Sequence, residues 1–332
     1  MLALSACTAE PQVREAQILA FGTLINFTSS GADEATFKQA HAALSDEFAQ
    51  LHQRWHAWQD GQLQQTNQLL RSGQWFEAET SIKRLILQAR PLAEQSNNLF
   101  NPAIGKLLKL WGFQGQSKAN WQPPSQQAIN IFLQAKPSLT NIEIQGTRMR
   151  SNNPSIALDF GAFAKGVALD QAIATLQQHG VSNAIINAGG DLKIIGSKQG
   201  DPWRIALRNP GDQTPLGWFQ LTGEHSVFTS GDYERYHEHN KKHYGHIIDP
   251  RTGQPASGTR SVTVIHKNAA LADAAATALF VAGPEQWQTI ARQMHIDKVL
   301  LVDEKQRFHA TPQMYALFKP LTPPTEWIIS DE

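Results

Sequence analysis

Two-residue and 3.6-residue hydrophobic periods follow one another along this chain without the strict strand–helix–strand alternation of a doubly wound sheet. Ile18 to Ser29 reads as a strand with Gly22 inside it. Asp33 to Trp58 then carries a helical stripe in which Phe37, Ala40, Leu44, Phe48, Leu51 and Trp55 recur at three- and four-residue steps, with Asp33 placed as N-cap. Gln62 to Gln68 reads as solvated surface, and a second helical stretch runs from Phe76 to Asn98, interrupted near Pro91. After a loop over Trp111 to Pro124, Ser125 to Ala135 is a short helix and Ser155 to Asp159 is strand-like. Phe163 to His179 reads as a helix closed by Gly180.

Asn183 to Gly196 reads as strand, Gly-Gly turn, strand, and Trp203 to Asn209 and Trp218 to Thr222 are further strands. Ser226 to Pro255 is a long polar segment, Ser261 to His266 a strand, and Leu271 to Ala282 a helix ending at Gly283. Lys298 to Asp303 and Arg307 to Ala310 suggest a terminal hairpin. The expected class is α+β, with mixed or antiparallel sheets flanked by helices. No repeat or long linker divides the chain, so 17–332 is expected to form one domain, in one or two lobes, behind a leader and tether at 1–16.

Lys plus Arg and Asp plus Glu each number 29, and no basic stripe is present, which argues against nucleic acid as a partner. The single cysteine, Cys7, excludes an internal disulfide and a cysteine-rich metal site. It ends Leu4-Ser5-Ala6-Cys7, the shape of a bacterial lipoprotein box, followed by a polar tether from Thr8 to Gln12. Only Met1 to Ala3 precede the box, so its leader would be truncated. The expectation is an exported protein anchored by lipid; a chance match in a frayed terminus is the alternative.

Chemistry-bearing residues cluster in a few segments. In Leu158-Asp159-Phe160-Gly161-Ala162-Phe163-Ala164-Lys165-Gly166 an apolar strand ends in Asp, turns through Gly and opens a helix. Free N–H groups there favour anions, and a Lys in the first turn opposes the helix dipole, which suits a phosphate. The same pattern also suits a Lys that points to solvent. Asn187-Ala188-Gly189-Gly190-Asp191 is either a hairpin turn or a close backbone approach to a ligand. Thr229-Ser230-Gly231-Asp232-Tyr233 leads to Tyr244-Gly245-His246-Ile247-Ile248-Asp249, where His246 is a general base or a turn-bound structural histidine. The other histidines from His225 to His266 read as exposed. Asp273 and Thr277 stand at i and i+4 among alanines, so one helix face offers a carboxylate and a hydroxyl to a hard cation such as Mg²⁺. Asp273 could instead cap the helix.

In order and spacing, these segments resemble the ApbE family of FAD:protein FMN transferases, from about Phe21 to the end of the chain. The resemblance implies an ApbE-like, T-fold-like architecture and a Mg²⁺-dependent transfer of FMN from FAD to a Thr or Ser hydroxyl of a partner flavoprotein, with release of AMP. It implies Asp159, Lys165 and Ile248 as FAD contacts, and the Ala162 carbonyl, Asp273 and Thr277 as Mg²⁺ ligands. His246 falls where the catalytic histidine stands, with Asp273 as its metal-binding counterpart in catalysis. In the N-terminal half, Phe21-Gly22-Thr23 matches a segment that usually reads Met-Gly-Thr. Trp58 stands where Tyr is common, and Leu99-Phe100-Asn101-Pro102 where Ala-Phe-Asp-Pro is typical, so Asn101 replaces a charged residue. The acceptors implied are membrane redox subunits, and the implied location is periplasmic, at the inner rather than the outer membrane. An FAD pyrophosphatase giving FMN and AMP would use the same site with water, and a non-catalytic FAD-binding protein would need no base.

Overall fold

A computed structural model describes residues 12–115, 121–212 and 214–331, so Cys7 and its box lie outside the described residues. The first strand, β1 (Val13–Ala20), takes in residues that the sequence assigns to the tether. It pairs antiparallel with β2 (Thr23–Ser30), so the single strand expected over Ile18 to Ser29 is a hairpin. Phe21 and Gly22 form its turn at φ 53° and 70°, the left-handed pair that a tight hairpin needs. The turn is hard to read from sequence because a bulky residue seldom adopts positive φ. Phe21 is held there by α1 (Glu34–Trp55): its N–H donates to His52 Nδ1 at 3.1 Å and its ring meets Phe48 edge-on.

The helix α1 starts as expected, with Asp33 Oδ1 accepting from the Thr36 N–H at 2.7 Å. In place of the solvated surface expected at Gln62 to Gln68, α2 (Gln62–Ser72) forms and buries Leu63, Thr66 and Leu70. Gln is a good helix former, and these few residues suffice for one apolar face. After β3 (Phe76–Glu77), α3 (Thr80–Gln95) runs through Pro91 unbroken. The carbonyl that Pro91 cannot serve belongs to Leu87, which is 49% exposed and open to water.

Next come α4 (Gly105–Leu110), α5 (Gln126–Ala135) and the small ribbon β4 (Ile142–Gln145) and β5 (Arg148–Ser151). The strand expected at Ser155 to Asp159 makes one bridge, Ala157 to Ile104, and is otherwise loop. It leads into α6 (Ala164–Gln178). The expected strand–turn–strand is β6 (Ala184–Ala188) and β7 (Asp191–Ile195), and β8 (Trp203–Arg208) pairs with β9 (Pro215–Leu221). The polar stretch from Ser226 hides a core strand, β10 (His225–Gly231), before the short hairpin β11 (Tyr236–His239) and β12 (Lys242–Gly245). Hydroxyls at Ser226, Thr229 and Ser230 mask its apolar period.

β13 (Thr259–His266) pairs with β10. α7 (Ala269–Gln293) does not end at Gly283 but kinks there, at φ 71°, ahead of Pro284. β14 (Val299–Asp303) and β15 (Phe308–Ala310) form the expected hairpin, and α8 (Pro312–Leu317), β16 (Lys319–Pro320) and β17 (Trp327–Ile329) follow.

The main sheet has the order β1-β2-β6-β7-β10-β13-β14-β15-β17 and is antiparallel except for its last pair. The class is α+β. Alternate residues point to opposite faces. Phe27, Ile186, Val262 and Val264 join a core with α1, α3, α6 and α7, while Ile194, Val227, Ile265 and Leu300 join a second core with β8 and β9.

The helices α6 and α7 meet closely, and both lead into the site described below. A Cβ on Gly166 would lie 2.3 Å from the Ala269 carbonyl oxygen. The Asp170 carboxylate accepts from the Ala269 and Ala270 N–H groups at 3.0 and 3.1 Å, satisfying free donors at the start of α7. Buried Lys193 holds that carboxylate, pairing with Asp170 and Glu224 at 2.9 Å each. Gly166→Ala should push the helices apart and cost roughly 1–3 kcal/mol. A thermal melt by circular dichroism reads this as a lowered midpoint; an unchanged midpoint would mean that the helix contact is slack.

Candidate active site

The loop before α6, the β6–β7 turn, the end of β10, the segment after β12 and the first turns of α7 converge on a cavity of about 550 Å³. Phe21, Trp58, Leu99, Phe100, Asn101, Asp159, Ala162, Lys165, His246, Ile248, Asp273 and Thr277 all line it. Residues up to 256 positions apart in the chain, Phe21 and Thr277, thus share one wall system.

One wall is aromatic. Trp58 is 37% exposed, and the Arg235 guanidinium lies 5.8 Å from its ring centre. Its indole N–H donates to Asp159 Oδ2 at 2.9 Å, and Gln114 Nε2 donates to the same oxygen at 3.2 Å. Asp159 Oδ1 accepts from the Gly161 N–H at 2.9 Å, which sets the turn into α6. Leu99 and Phe100 are buried and form the floor. Asn101 is a latch: its Nδ2 donates to the Pro137 carbonyl at 2.9 Å, and its Oδ1 accepts from the Ala103 N–H at 3.0 Å. An aspartate could not donate to Pro137, which accounts for an amide here.

The polar centre joins α6, β7, β10 and α7. Lys165 forms an ion pair with Asp191, whose Oδ1 accepts from the Thr229 N–H at 3.1 Å. Burial alone would push the Lys165 ammonium down, but Asp191, Asp273 and Glu234 raise it, so it stays charged. Asp273 Oδ2 accepts from the Gly166 N–H at 2.9 Å and does not cap its helix; Asn268 does. Burial raises the Asp273 carboxyl to about 7, opposed by Lys165. Thr277 Oγ1 lies 3.3 Å from Ser230 Oγ.

His246 completes the wall. Its Nδ1 lies 3.1 Å from the Arg235 carbonyl, which can only accept, so Nδ1 carries the hydrogen and Nε2 keeps its lone pair. Burial, then the Arg235 and Lys165 charges, push the ring down to about 3. The ring is therefore neutral at physiological pH. Phe113 supports it edge-on at 6.3 Å. His237, expected to be exposed, is buried and stacked on Phe113 and Trp121 at 4.6 and 4.4 Å. Its period is masked because its partners come from a distant loop.

The ApbE family model matches residues 21–300. The chain belongs to the ApbE family. It is 41% identical over 300 residues to a FAD:protein FMN transferase of Rhodobacter capsulatus, a match that covers 89% of this chain and 56% of that protein. A FAD:protein FMN transferase of Vibrio cholerae is 31% identical over 73% of each chain. The crystal structure of the ApbE protein from Thermotoga maritima superposes with a TM-score of 0.84 at 30% identity, covering 92% of this chain and 99% of that one. The flavinyl transferase ApbE of Pseudomonas stutzeri, in its apo form, gives 0.77 at 27% identity over 90% and 93%.

Sequence reasoning missed Asp191 as the partner of Lys165, although Asp191 ends the Gly-Gly segment. It gave no role to Ser230, within the Thr229–Tyr233 segment, and missed Glu234, Arg235 and Arg208, which line the same ApbE-family cavity. Arg208 comes from the end of β8, in a different sheet, and nothing local in the sequence signals it.

The donors at Asp273, Thr277 and Ala162 are all oxygens, which fits a small hard cation. A buried carboxylate whose pKa is raised favours a compensating positive charge. Among the described residues no group of three or more His, Cys, Asp or Glu side chains could hold a metal, so such a cation would need substrate oxygens and water to fill its shell.

Proposed function

We propose that this ApbE-family protein binds FAD in the cavity and transfers the FMN half to a Thr or Ser hydroxyl of a partner flavoprotein, releasing AMP. The observation that carries this reading is the convergence of a neutral histidine, a buried carboxylate and two aromatic faces on one dinucleotide-sized space. The chain's similarity to the FAD:protein FMN transferases of Rhodobacter capsulatus and Vibrio cholerae supports it.

Phe21 and Trp58 offer faces for the flavin or adenine ring. Lys165, fixed by Asp191, places a permanent positive charge beside the diphosphate. The acceptor hydroxyl oxygen attacks the FMN phosphorus while its proton passes to His246 Nε2. The new P–O bond forms, the bond from that phosphorus to the bridging oxygen breaks, and AMP departs with the oxygen. Asp273, Thr277 and the Ala162 carbonyl would hold Mg²⁺, which when bound supplies Lewis-acid neutralisation of charge on the diphosphate.

The test uses purified protein, FAD, Mg²⁺ and an acceptor domain from a membrane redox subunit carrying Asp-x-x-Thr-Gly-Ala-Thr/Ser. Flavin fluorescence should stay with the acceptor on a denaturing gel. AMP without a labelled acceptor would mean a pyrophosphatase, and bound flavin without AMP a carrier. Trp58→Ala should weaken FAD binding by about two- to tenfold, the loss of one stacking face worth roughly 0.5–1.5 kcal/mol. Fluorescence titration measures it; unchanged affinity would place the rings elsewhere.

We further propose a periplasmic location, with lipid on Cys7 holding the protein to the inner membrane, because Leu4-Ser5-Ala6-Cys7 has the form of a lipoprotein box. Labelling with a palmitate analogue in cells expressing the native gene should be lost in Cys7→Ser; equal labelling of the variant would overturn the anchor.

A further inference from the structure

A second cavity, of about 410 Å³, lies on the other face of the main sheet, beside β8. It meets the first cavity at Gly189, Arg208, Thr229 and Glu234, which line both. Neighbouring residues of β10 divide between the two sides. Thr229 Oγ1 bonds Thr263 Oγ1 at 2.9 Å, and Ser230 Oγ faces Thr277 on the α7 side. At Gly189, which lines both cavities, Thr23 Oγ1 stands 2.6 Å from where a Cβ would lie, while a Cβ added at Gly190, on the second cavity, would meet nothing within 4 Å. The junction also adjoins the base, because Glu234 precedes Arg235, whose carbonyl orients His246.

The strand β8 is the end strand of its small sheet, ordered β16-β9-β8. Its consecutive residues from Arg204 to Arg208 all line the second cavity, as they do when a strand presents its edge rather than a face. Apart from the bonds to β9, the backbone of 204–208 makes no hydrogen bond to the described residues. A bare edge of N–H and C=O groups is the chemistry that recognises an extended polypeptide. The facing wall carries Asn26 and Thr28, polar side chains that suit a peptide backbone. The Arg208 side chain makes no ion pair or hydrogen bond with the described residues, and its positive charge acts on Glu234 and Tyr233 beside the junction.

Resting on the transfer reading above, we propose that the second cavity receives the acceptor: an extended segment of the partner protein adds to the β8 edge and presents its hydroxyl through the junction to the FMN phosphorus. FAD then keeps the first cavity to itself, and the nucleophile enters from the second cavity while AMP departs on the side of the first, as an in-line displacement requires. The site holds polypeptide, not nucleotide.

The test follows from that division. Thr28→Tyr and Asn26→Tyr each fill the second cavity from β2 while keeping a strand-forming residue. With the same acceptor domain, KM for acceptor should rise by about tenfold or more in each, while the FAD dissociation constant stays within about twofold. Asn26 is exposed, so its variant remains informative should Thr28→Tyr misfold. Amide exchange at Arg204 to Arg208 should slow when acceptor is added to the wild-type protein. Unchanged acceptor KM with no β8 protection would overturn the proposal. So would weakened FAD binding in both variants, which would assign the cavity to the dinucleotide. A wild-type protein that labels no acceptor would instead sink the transfer reading itself.

Discussion

Asp273→Asn should abolish transfer and yet raise the stability of the metal-free protein. Asparagine keeps an oxygen for the Gly166 N–H, bonded at 2.9 Å to the wild-type carboxylate, so the contact between α6 and α7 survives. What is lost is charge. Burial raises the carboxyl from 3.8 to about 7. A carboxyl with a raised folded pKa is more favourable to the fold when protonated, so metal-free wild-type protein loses stability as pH rises from the unfolded value of 3.8 towards about 7. The variant has no such loss. In EDTA at mildly alkaline pH its thermal midpoint should exceed that of the wild type, and the two should converge in acid. Added Mg²⁺ should raise the wild-type midpoint alone. If Asp273 holds Mg²⁺ as proposed, losing that charge neutralisation costs several kcal/mol of barrier, on the order of 10³-fold in rate. An active variant, or one less stable in EDTA, would contradict the role given to Asp273.

His246→Ala should lower transfer by roughly 10²–10⁴-fold, the range for a lost general base, while leaving FAD binding nearly intact. The pH profile of the wild type adds a sharper expectation. Because His246 is pushed down to about 3, it stays neutral through the range where an ordinary histidine would titrate. An acid limb near neutrality should therefore belong to Asp273, whose proton would compete with Mg²⁺ at the proposed metal site. A tenfold increase in Mg²⁺ should move that limb down by about one pH unit. A limb that ignores Mg²⁺ and disappears in the histidine variant would mean that His246 titrates normally.

Much of the site was legible because its chemistry sits on local devices. A lysine in the first turn of α6 and an i, i+4 Asp–Thr pair on α7 are short-range patterns; α6 lies where periodicity puts it, and α7 starts there but runs on past Gly283 to Gln293. The α1 stripe was equally clear, since Ala40, Leu44, Phe48, Leu51 and Trp55 are its buried residues. What escaped depends on distant partners. The Phe21–Gly22 turn needs α1 to hold a bulky residue at positive φ. β10 carries too many hydroxyls to read as a core strand, yet Thr229 and Ser230 bond to β13 and α7. His237 is buried by Phe113 and Trp121, and Arg208 reaches the cavity from another sheet. None of these leaves a mark within a few residues of itself.

The central claim is that one cavity converts FAD into acceptor-bound FMN and AMP. Its most direct test is the stoichiometry of the two products, with AMP counted by chromatography and acceptor-bound FMN by intact mass. One AMP for each acceptor that gains an FMN phosphoester, with both products absent in Asp273→Asn, is the predicted result. AMP released in excess while the acceptor mass stays unchanged would contradict it.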